Sequence, residues 1–401
     1  MLLGIFSDTH LGFGVGEQYE EAFDRFKESL KTFQERGVKA IIHAGDLFDD
    51  STPTQEVWLK TFECFAQNNG SIIEIEKETR AGKKILVQTK GIPIIAIHGT
   101  HEHRGKDFAN ALEVLEEAHC LVHIHGECVY FLEGADKVCI HGLGGVPERN
   151  AKQVLETLNP KPKPNSTNIF VMHQSFSEFL PFDDTMIATL SLSDLPMGFD
   201  LIIDGHLHWT NEQNIPGKRF LLTGSTIFTQ MKKLESEKNK GVFVFDSITK
   251  KLEFVPFKNQ RKLFYEKISF DSALPEKVKL TVEQKIANIV SKPFELKPLI
   301  RFKLVGTLAK GYSQSDIKFS LPEDKAIFSI SKEFSSDEFK RKIESFKEEH
   351  LKRKSITEVG MDILEKNVEE AKLENFDSRR IFELLSNDET EKAEEVLLKG
   401  E

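Results

Sequence analysis

Short apolar runs punctuate the first half of the chain, and five of them stop at a residue able to bind a hard metal ion. Leu2–Phe6 runs into Asp8 and His10, and residues 38–43 run into Asp46. Residues 92–97 lead to Thr100, His101 and Glu102, residues 168–172 to His173, and residues 201–203 to His206 and His208. Runs of this length, rich in Ile, Val, Leu and Phe, read as buried strands. In an open α/β sheet, ligands bind in the crevice at the carboxyl ends of the strands. The pattern therefore predicts a metal site at one edge of a sheet.

Between these runs the spacing becomes helical. Val57, Trp58, Phe62 and Phe65 follow Pro53 and predict an amphipathic helix over residues 53–67. Phe108, Leu112, Leu115 and Ala118 recur every three to four residues and predict another over 108–119. Residues 69–91 leave two readings open, a hairpin turning at 77–82 or a helix opening at Ile72. Residues 159–165 form a proline-rich surface loop. The runs at 220–223 and 242–245 read as strands of a second sheet that closes the core.

From residue 260 the alternation changes. A strand-like run at 264–270, a helical stretch over Pro275–Val290 and a strand-like run at 299–305 describe a small α+β module without metal-type residues. Beyond it the chain is charged and helical, with capping-box patterns at 355–358 and 386–389. The apolar stripe there suits packing on the chain's own domains or docking of a partner helix. The domains expected are 1–255, 260–332 and 335–401.

Composition narrows the class. With 401 residues, 39% hydrophobic and 29% charged, the chain can bury a large core, which excludes wholesale disorder. No run approaches the roughly 18 apolar residues of a membrane span. The first run meets Asp8 too early for a signal peptide. Cys64, Cys120, Cys128 and Cys139 lack Cys-x-x-Cys spacing and read as reduced core residues of a cytoplasmic protein. The net charge of −10 does not exclude a nucleic-acid partner, because carboxylates that bind metal inflate the negative count.

The candidate ligands then suggest their chemistry. Asp8 and His10, two residues apart, point the same way along an extended backbone, and His206 with His208 repeats the arrangement. Gly45 lets the chain turn so that Asp46 enters the site. A bridging carboxylate, a further Asp and four imidazoles including His173 suit two ions such as Mn²⁺, Fe²⁺ or Zn²⁺. Such a pair clamps a phosphate and activates water for in-line attack. His43, His98 and His141 read as packed core groups or as hydrogen-bond partners of the ligands. His119, His123 and His125 read as structural.

Taken in order, Asp-x-His, Gly-Asp, Gly-x-His, a strand-end His and Gly-His-x-His resemble the calcineurin-like metallophosphoesterase superfamily. Within it, the runs Phe6-Ser7-Asp8-Thr9-His10-Leu11-Gly12 and Gly45-Asp46-Leu47-Phe48-Asp49 resemble the SbcD-type double-strand-break repair nucleases. So do Asp194-Leu195-Pro196-Met197-Gly198-Phe199-Asp200 and Gly224-Ser225-Thr226. The resemblance covers residues 1–250. It implies a four-layer α/β/β/α core with a small α+β capping domain and a helical C-terminal tail. It also implies a nuclease that uses two Mn²⁺ ions (Mg²⁺, Fe²⁺ and Zn²⁺ being alternatives). Asp8, His10, Asp46 and His208 would hold one ion. Asp46, His173, His206 and Thr100 would hold the other, with His101 as the catalytic histidine. The implied activity is 3′-to-5′ exonuclease on duplex DNA and endonuclease on single strands. The implied partners are DNA, a second copy through the helices at 53–67 and 108–119, and an SbcC-type ATPase docking on the C-terminal helices.

Two positions depart from the family pattern. Thr100 replaces an Asn that ligates through its carbonyl, which predicts a second ion held loosely or through water. Asp49 stands where several members have His, and a carboxylate there is expected to repel phosphate unless a metal or Lys offsets it. Two other readings share the dinuclear core: a phosphodiesterase or phosphatase for small substrates, and a scaffold that has lost catalysis.

Overall fold

The strands predicted from the first half form because their residues are apolar on both faces, and each face finds a partner layer. The structure, a computed structural model, describes residues 1–105, 108–180 and 189–334, with residues 361, 380–382 and 384. Six strands make one sheet, in the order Leu252–Pro256, Gly241–Asp246, Leu2–Phe6, Ala40–Ala44, Ile94–Ile97, Val122–His123. A second sheet has eight strands. Asn211–Ile215, Lys218–Leu222, Leu201–Asp204 and Thr167–Met172 are followed by Asp136–Leu143, Glu127–Glu133, Ile72–Glu78 and Lys84–Lys90.

The two sheets pack face to face. Leu3, Ile5, Ile42, Ile95 and Ile97 from the first meet Val129, Ile140, Ile169, Val171 and Ile203 from the second in one buried cluster. The alternate residues of the same strands face outward. Phe6, Ile41 and Ile94 lie under Phe23, Phe26, Leu30 and Phe33 of the helix Glu17–Glu35. Phe170, Ile202 and Phe220 lie under Ala151 and Leu155 of the helix Glu148–Leu158. The result is the α/β/β/α layering expected. A methyl group on Gly4 would collide with the Phe33 ring, so the close helix–sheet approach there requires glycine. Phe33 is fully buried, and its truncation to Ala costs about 3–5 kcal/mol.

Several sequence readings need correction. The runs at 220–223 and 242–245 do not share a sheet. Lys218–Leu222 pairs in parallel with Leu201–Asp204, whereas Gly241–Asp246 pairs antiparallel with Leu2–Phe6. The ligand-bearing strands come from both sheets, three from the first and two from the second, so the site is not the edge of one open sheet. The second helix starts at Ala111, because Asn110 caps it in a capping box with Glu113, and Phe108 stands outside it, exposed. Residues 69–91 resolve as the hairpin, Ile72–Glu78 against Lys84–Lys90.

Further along, Leu263–Ala273, Leu299–Leu308 and Ile327–Phe334 form a three-stranded sheet in that order. The helix Pro275–Val290 lies between the first two of these strands in sequence. The chain divides into two compact units. One comprises Met1–Glu266, Ile286–Phe302 and Leu321–Ile330, and the other contains Lys267–Lys285, Lys303–Ser320 and residues 331–334. In the second unit Val278 and Val282 are buried, and Ser272 N donates to Thr307 Oγ1 at 2.8 Å. The capping-box patterns at 355–358 and 386–389 lie outside the described residues.

Candidate metal centre

The turns after Leu2–Phe6 and Ala40–Ala44 zip together. Asp8 N donates to Gly45 O at 2.9 Å, His10 N to Asp46 O at 3.1 Å, and Leu11 N to Leu47 O at 2.8 Å. Asp8, His10 and Asp46 hold positive φ angles of 49°, 45° and 51°, and His206 one of 72°. Asp and His tolerate this left-handed region better than most residues, yet it costs about 1–3 kcal/mol at each. Asp8 and His10 therefore converge through a strained turn, not through the alternation of an extended backbone. His206 and His208 do not share a target either. Gly45, at φ 93°, needs its freedom twice, for its backbone and because a Cβ would strike the His173 ring.

Two groups of mostly buried ligand atoms result, beside a third and more exposed one made of His10, Asp49 and His101. Asp8, His10 and His208 form one, and Asp46, His173 and His206 the other, with the ligand atoms in each lying within 4.8 Å of one another. Asp8, His10, Asp46, His173 and His208 are buried, His206 is half-buried, and Thr100 and His101 are exposed. Thr100 Oγ1 lies 3.5 Å from Asp46 Oδ2. His101 N donates to Asp46 Oδ1 at 2.9 Å. Its Nδ1 lies 2.6 Å from the Asp49 carbonyl oxygen, which leaves Nε2 3.9 Å from Asp46 Oδ2.

The first group fits a cation closely. Asp49 Oδ1 accepts from His10 Nδ1 at 3.1 Å, and the Thr229 hydroxyl hydrogen-bonds His208 Nδ1. With their protons on Nδ1, both rings present Nε2 lone pairs, and these nitrogens face each other at 3.3 Å. A cation between them removes that repulsion. Asp8 Oδ1 lies 3.6 Å from His208 Nε2 and accepts from the His206 amide at 3.1 Å, while the Ser7 hydroxyl donates to Asp8 Oδ2. Asp49 is therefore a hydrogen-bond partner of His10.

Electrostatics of the metal-free site point the same way. Burial would depress His173, but the charge and hydrogen bond of Asp46, 3.1 Å away, raise it to about 10. Burial opposes ionisation of Asp46, yet His173 holds its carboxyl well below the usual range. Asp8 is pushed up to about 6, by burial and then by Asp46. His206 falls to about 3 through burial and the charge of His173. His173 and Asp46, 3.1 Å apart, thus favour each other's charged forms.

Other residues to which sequence reasoning gave no role shape the site. Glu102, fully buried, accepts Phe48 N and Gly99 N at 2.7 Å each and ties the third ligand loop to the second. Lys240 Nζ donates to the His208 carbonyl at 2.8 Å and to Glu235 at 2.8 Å. Glu148 lies 3.8 Å from His206. The Gly-x-His-Glu string contained Glu102; nothing local marked Lys240 or Glu148. Among the remaining histidines, His43 hydrogen-bonds Thr9 at 3.2 Å, His98 contacts His123 at 3.0 Å, and His125 accepts Gly144 N at 3.2 Å.

The family model for calcineurin-like phosphoesterases matches residues 1–210, more than half of the 401. The chain belongs to that family. A divalent-metal site is thus expected on this fold, and the two ligand groups fit one. The chain is also similar to curated proteins named DNA double-strand break repair protein Mre11. The one from Sulfolobus acidocaldarius is 24% identical over 408 residues, 98% of this chain and 97% of that protein. The one from Thermoplasma acidophilum is 26% identical over 348 residues, 82% of each. For that of Saccharolobus solfataricus, the match is 26% over 250 residues, 60% of this chain and 58% of that protein. The phosphoesterase family thus aligns with the half that carries the ligands. Among the described residues, no helix is long and apolar enough to cross a membrane.

Proposed function

We propose that this phosphoesterase is a DNA nuclease of double-strand-break repair that hydrolyses phosphodiester bonds with two divalent ions. The observation that carries the reading is the pair of adjoining ligand groups, on a chain similar almost end to end to a break-repair protein. Asp8, His10, Asp46 and His208 would hold one ion, and Asp46, His173, His206 and Thr100 the other. Mn²⁺ suits this mixed carboxylate and imidazole set. When bound, the ions supply neutralisation of the phosphate charge and activation of water for in-line attack.

The chain's own residues do the rest. His101, anchored to the Asp49 carbonyl through Nδ1, offers Nε2 to the substrate side. In its protonated form that nitrogen donates to the leaving oxygen. Asp49 and Thr229 keep the first-group imidazoles in the tautomer that ligates. Segment 260–332 selects DNA, and segment 335–401 docks the coiled-coil base of an SbcC-type ATPase. A dimer forms through the helix Gln55–Phe65 and the neighbourhood of Ala111–Glu117, where Leu59, Phe62, Phe108 and Val114 are exposed. On broken DNA the activity is 3′-to-5′ exonucleolytic, with endonuclease action on single strands.

Incubation of end-labelled duplex DNA with Mn²⁺ and the full chain, beside Asp8→Ala, tests the reading. Degradation by the parent and none by the variant is expected; equal degradation by both sinks the proposal. Preference for small phosphodiesters over DNA would instead support the small-substrate reading.

A further inference from the structure

A second group of ligating side chains lies away from this centre. On the paired strands Glu127–Glu133 and Asp136–Leu143, Cys128 stands opposite His141 and Tyr130 opposite Cys139. Strand alternation sends Val129, Val138 and Ile140 into the core between the sheets. Cys128, Tyr130, Cys139 and His141 therefore share the other face. The two sulfurs and a His141 ring nitrogen lie within 4.8 Å of one another, and Cys139 Sγ is 3.2 Å from His141 Nε2. A tetrahedron drawn on Zn–S bonds of about 2.3 Å and Zn–N bonds of about 2.0 Å has edges of about 3.5–3.8 Å. Small rotamer adjustments reach it.

We propose that Cys128, Cys139 and His141 form a binding site for a thiophilic cation of the Zn²⁺ class, separate from the phosphoesterase centre. Three protein ligands leave a fourth position. Cys128 and His141 line a cavity of about 280 Å³, also walled by Glu78, Lys163 and Phe170, from which water completes the coordination. Asn168, opposite Cys139 on the neighbouring strand, favours the protonated His141 ring, as an outer partner of a ligating imidazole does. Burial lowers His141 to about 4, so the ring is neutral and ready to ligate near pH 7. A hydrogen bond from its partner thiol holds Cys128 below its ordinary value and pushes Cys139 up, which makes Cys128 the first to ionise. Lys163 Nζ, paired with Glu78 at 2.8 Å, lies near enough to favour both thiolates. Binding one Zn²⁺ displaces two thiol protons, so affinity rises with pH.

A disulfide competes poorly here. The two cysteines are diagonal across the strand pair, and such positions lie about 7–8 Å apart. Disulfides need Cα separations of about 4.4–6.8 Å.

The test is a Co²⁺ titration of the reduced, metal-stripped full chain after saturation with Mn²⁺. Only sulfur ligation gives an intense thiolate-to-cobalt charge-transfer band, and the phosphoesterase ligands contain no sulfur. One band-forming Co²⁺ per chain, displaced by Zn²⁺ and lost in Cys139→Ala, is expected. His141→Ala should keep a band but weaken Zn²⁺ binding beyond the about 10–100-fold that loss of an outer hydrogen-bond partner costs. Absence of the band in the unmodified chain overturns the proposal without recourse to any variant. So does a band that survives in a Cys128→Ala, Cys139→Ala chain.

Discussion

The two halves of the phosphoesterase centre are built to different standards. Around Asp8, His10 and His208, each ligand has an outer partner: the Ser7 hydroxyl, the Asp49 carboxylate and the Thr229 hydroxyl. All three ligands are buried. Around Asp46, His173 and His206, support is uneven. His173 Nδ1 contacts the Ala44 carbonyl at 2.8 Å, but His206 is half-buried with Glu148 no nearer than 3.8 Å. The neutral, exposed hydroxyl of Thr100 lies 3.5 Å from Asp46 on that side. Ligands held by outer partners lose less freedom on binding metal. On the two-ion reading, the difference predicts a first ion held more tightly than the second.

The largest effect should come from removing what the halves share. Asp46→Asn is expected to lower Mn²⁺-dependent hydrolysis about 10³-fold or more, since metal stabilisation of the transition state is worth several kcal/mol. Single-turnover assays at saturating DNA would measure this, and a loss under tenfold would deny Asp46 its shared role. Next comes Asp49→Ala, which strips His10 of its partner. Metal affinity of the first half should fall about 10–100-fold, with the second half unchanged. Equal losses in both halves, read by calorimetry, would erase the distinction between them.

What the sequence made legible was which candidate residues the structure brings together. Each ligand ends an apolar run, and apolar runs report strands whatever sheet they join. The grouping was not legible. His206 and His208 are two residues apart yet belong to different halves, because His206 sits at φ 72° and breaks the strand alternation. Nor did the local pattern reveal that the ligand strands come from two stacked sheets, since a strand buried on both faces reads alike in either. Lys240 and Glu148 act on ligands more than 30 residues away in sequence, and only tertiary packing brings them there. The contact of Asp49 with His10 was not legible either, because only the folded chain brings the two together.

Smaller effects sharpen the contrast. In the metal-free chain His173 is raised to about 10 and so carries a proton at neutral pH. A ligating imidazole must be neutral, so the second ion expels that proton. Below about pH 10 its affinity should rise with pH, by up to about tenfold per unit for one proton released. Calorimetry in buffers of different ionisation enthalpy counts the proton, and a count of zero contradicts the assignment. The mildest change is Thr100→Asn, which restores a carbonyl donor. The Mn²⁺ concentration for half-maximal activity should drop about tenfold, equivalent to about 1.4 kcal/mol. An unchanged value would mean that residue 100 does not reach the ion.

The most direct test is a calorimetric Mn²⁺ titration of the metal-stripped chain, repeated with His206→Ala. Two ions per chain are predicted, the first bound at least about tenfold more tightly, a gap of about 1.4 kcal/mol. The variant should lose only the weaker event. A single ion, two ions of equal affinity, or loss of the tighter event in His206→Ala would contradict the account.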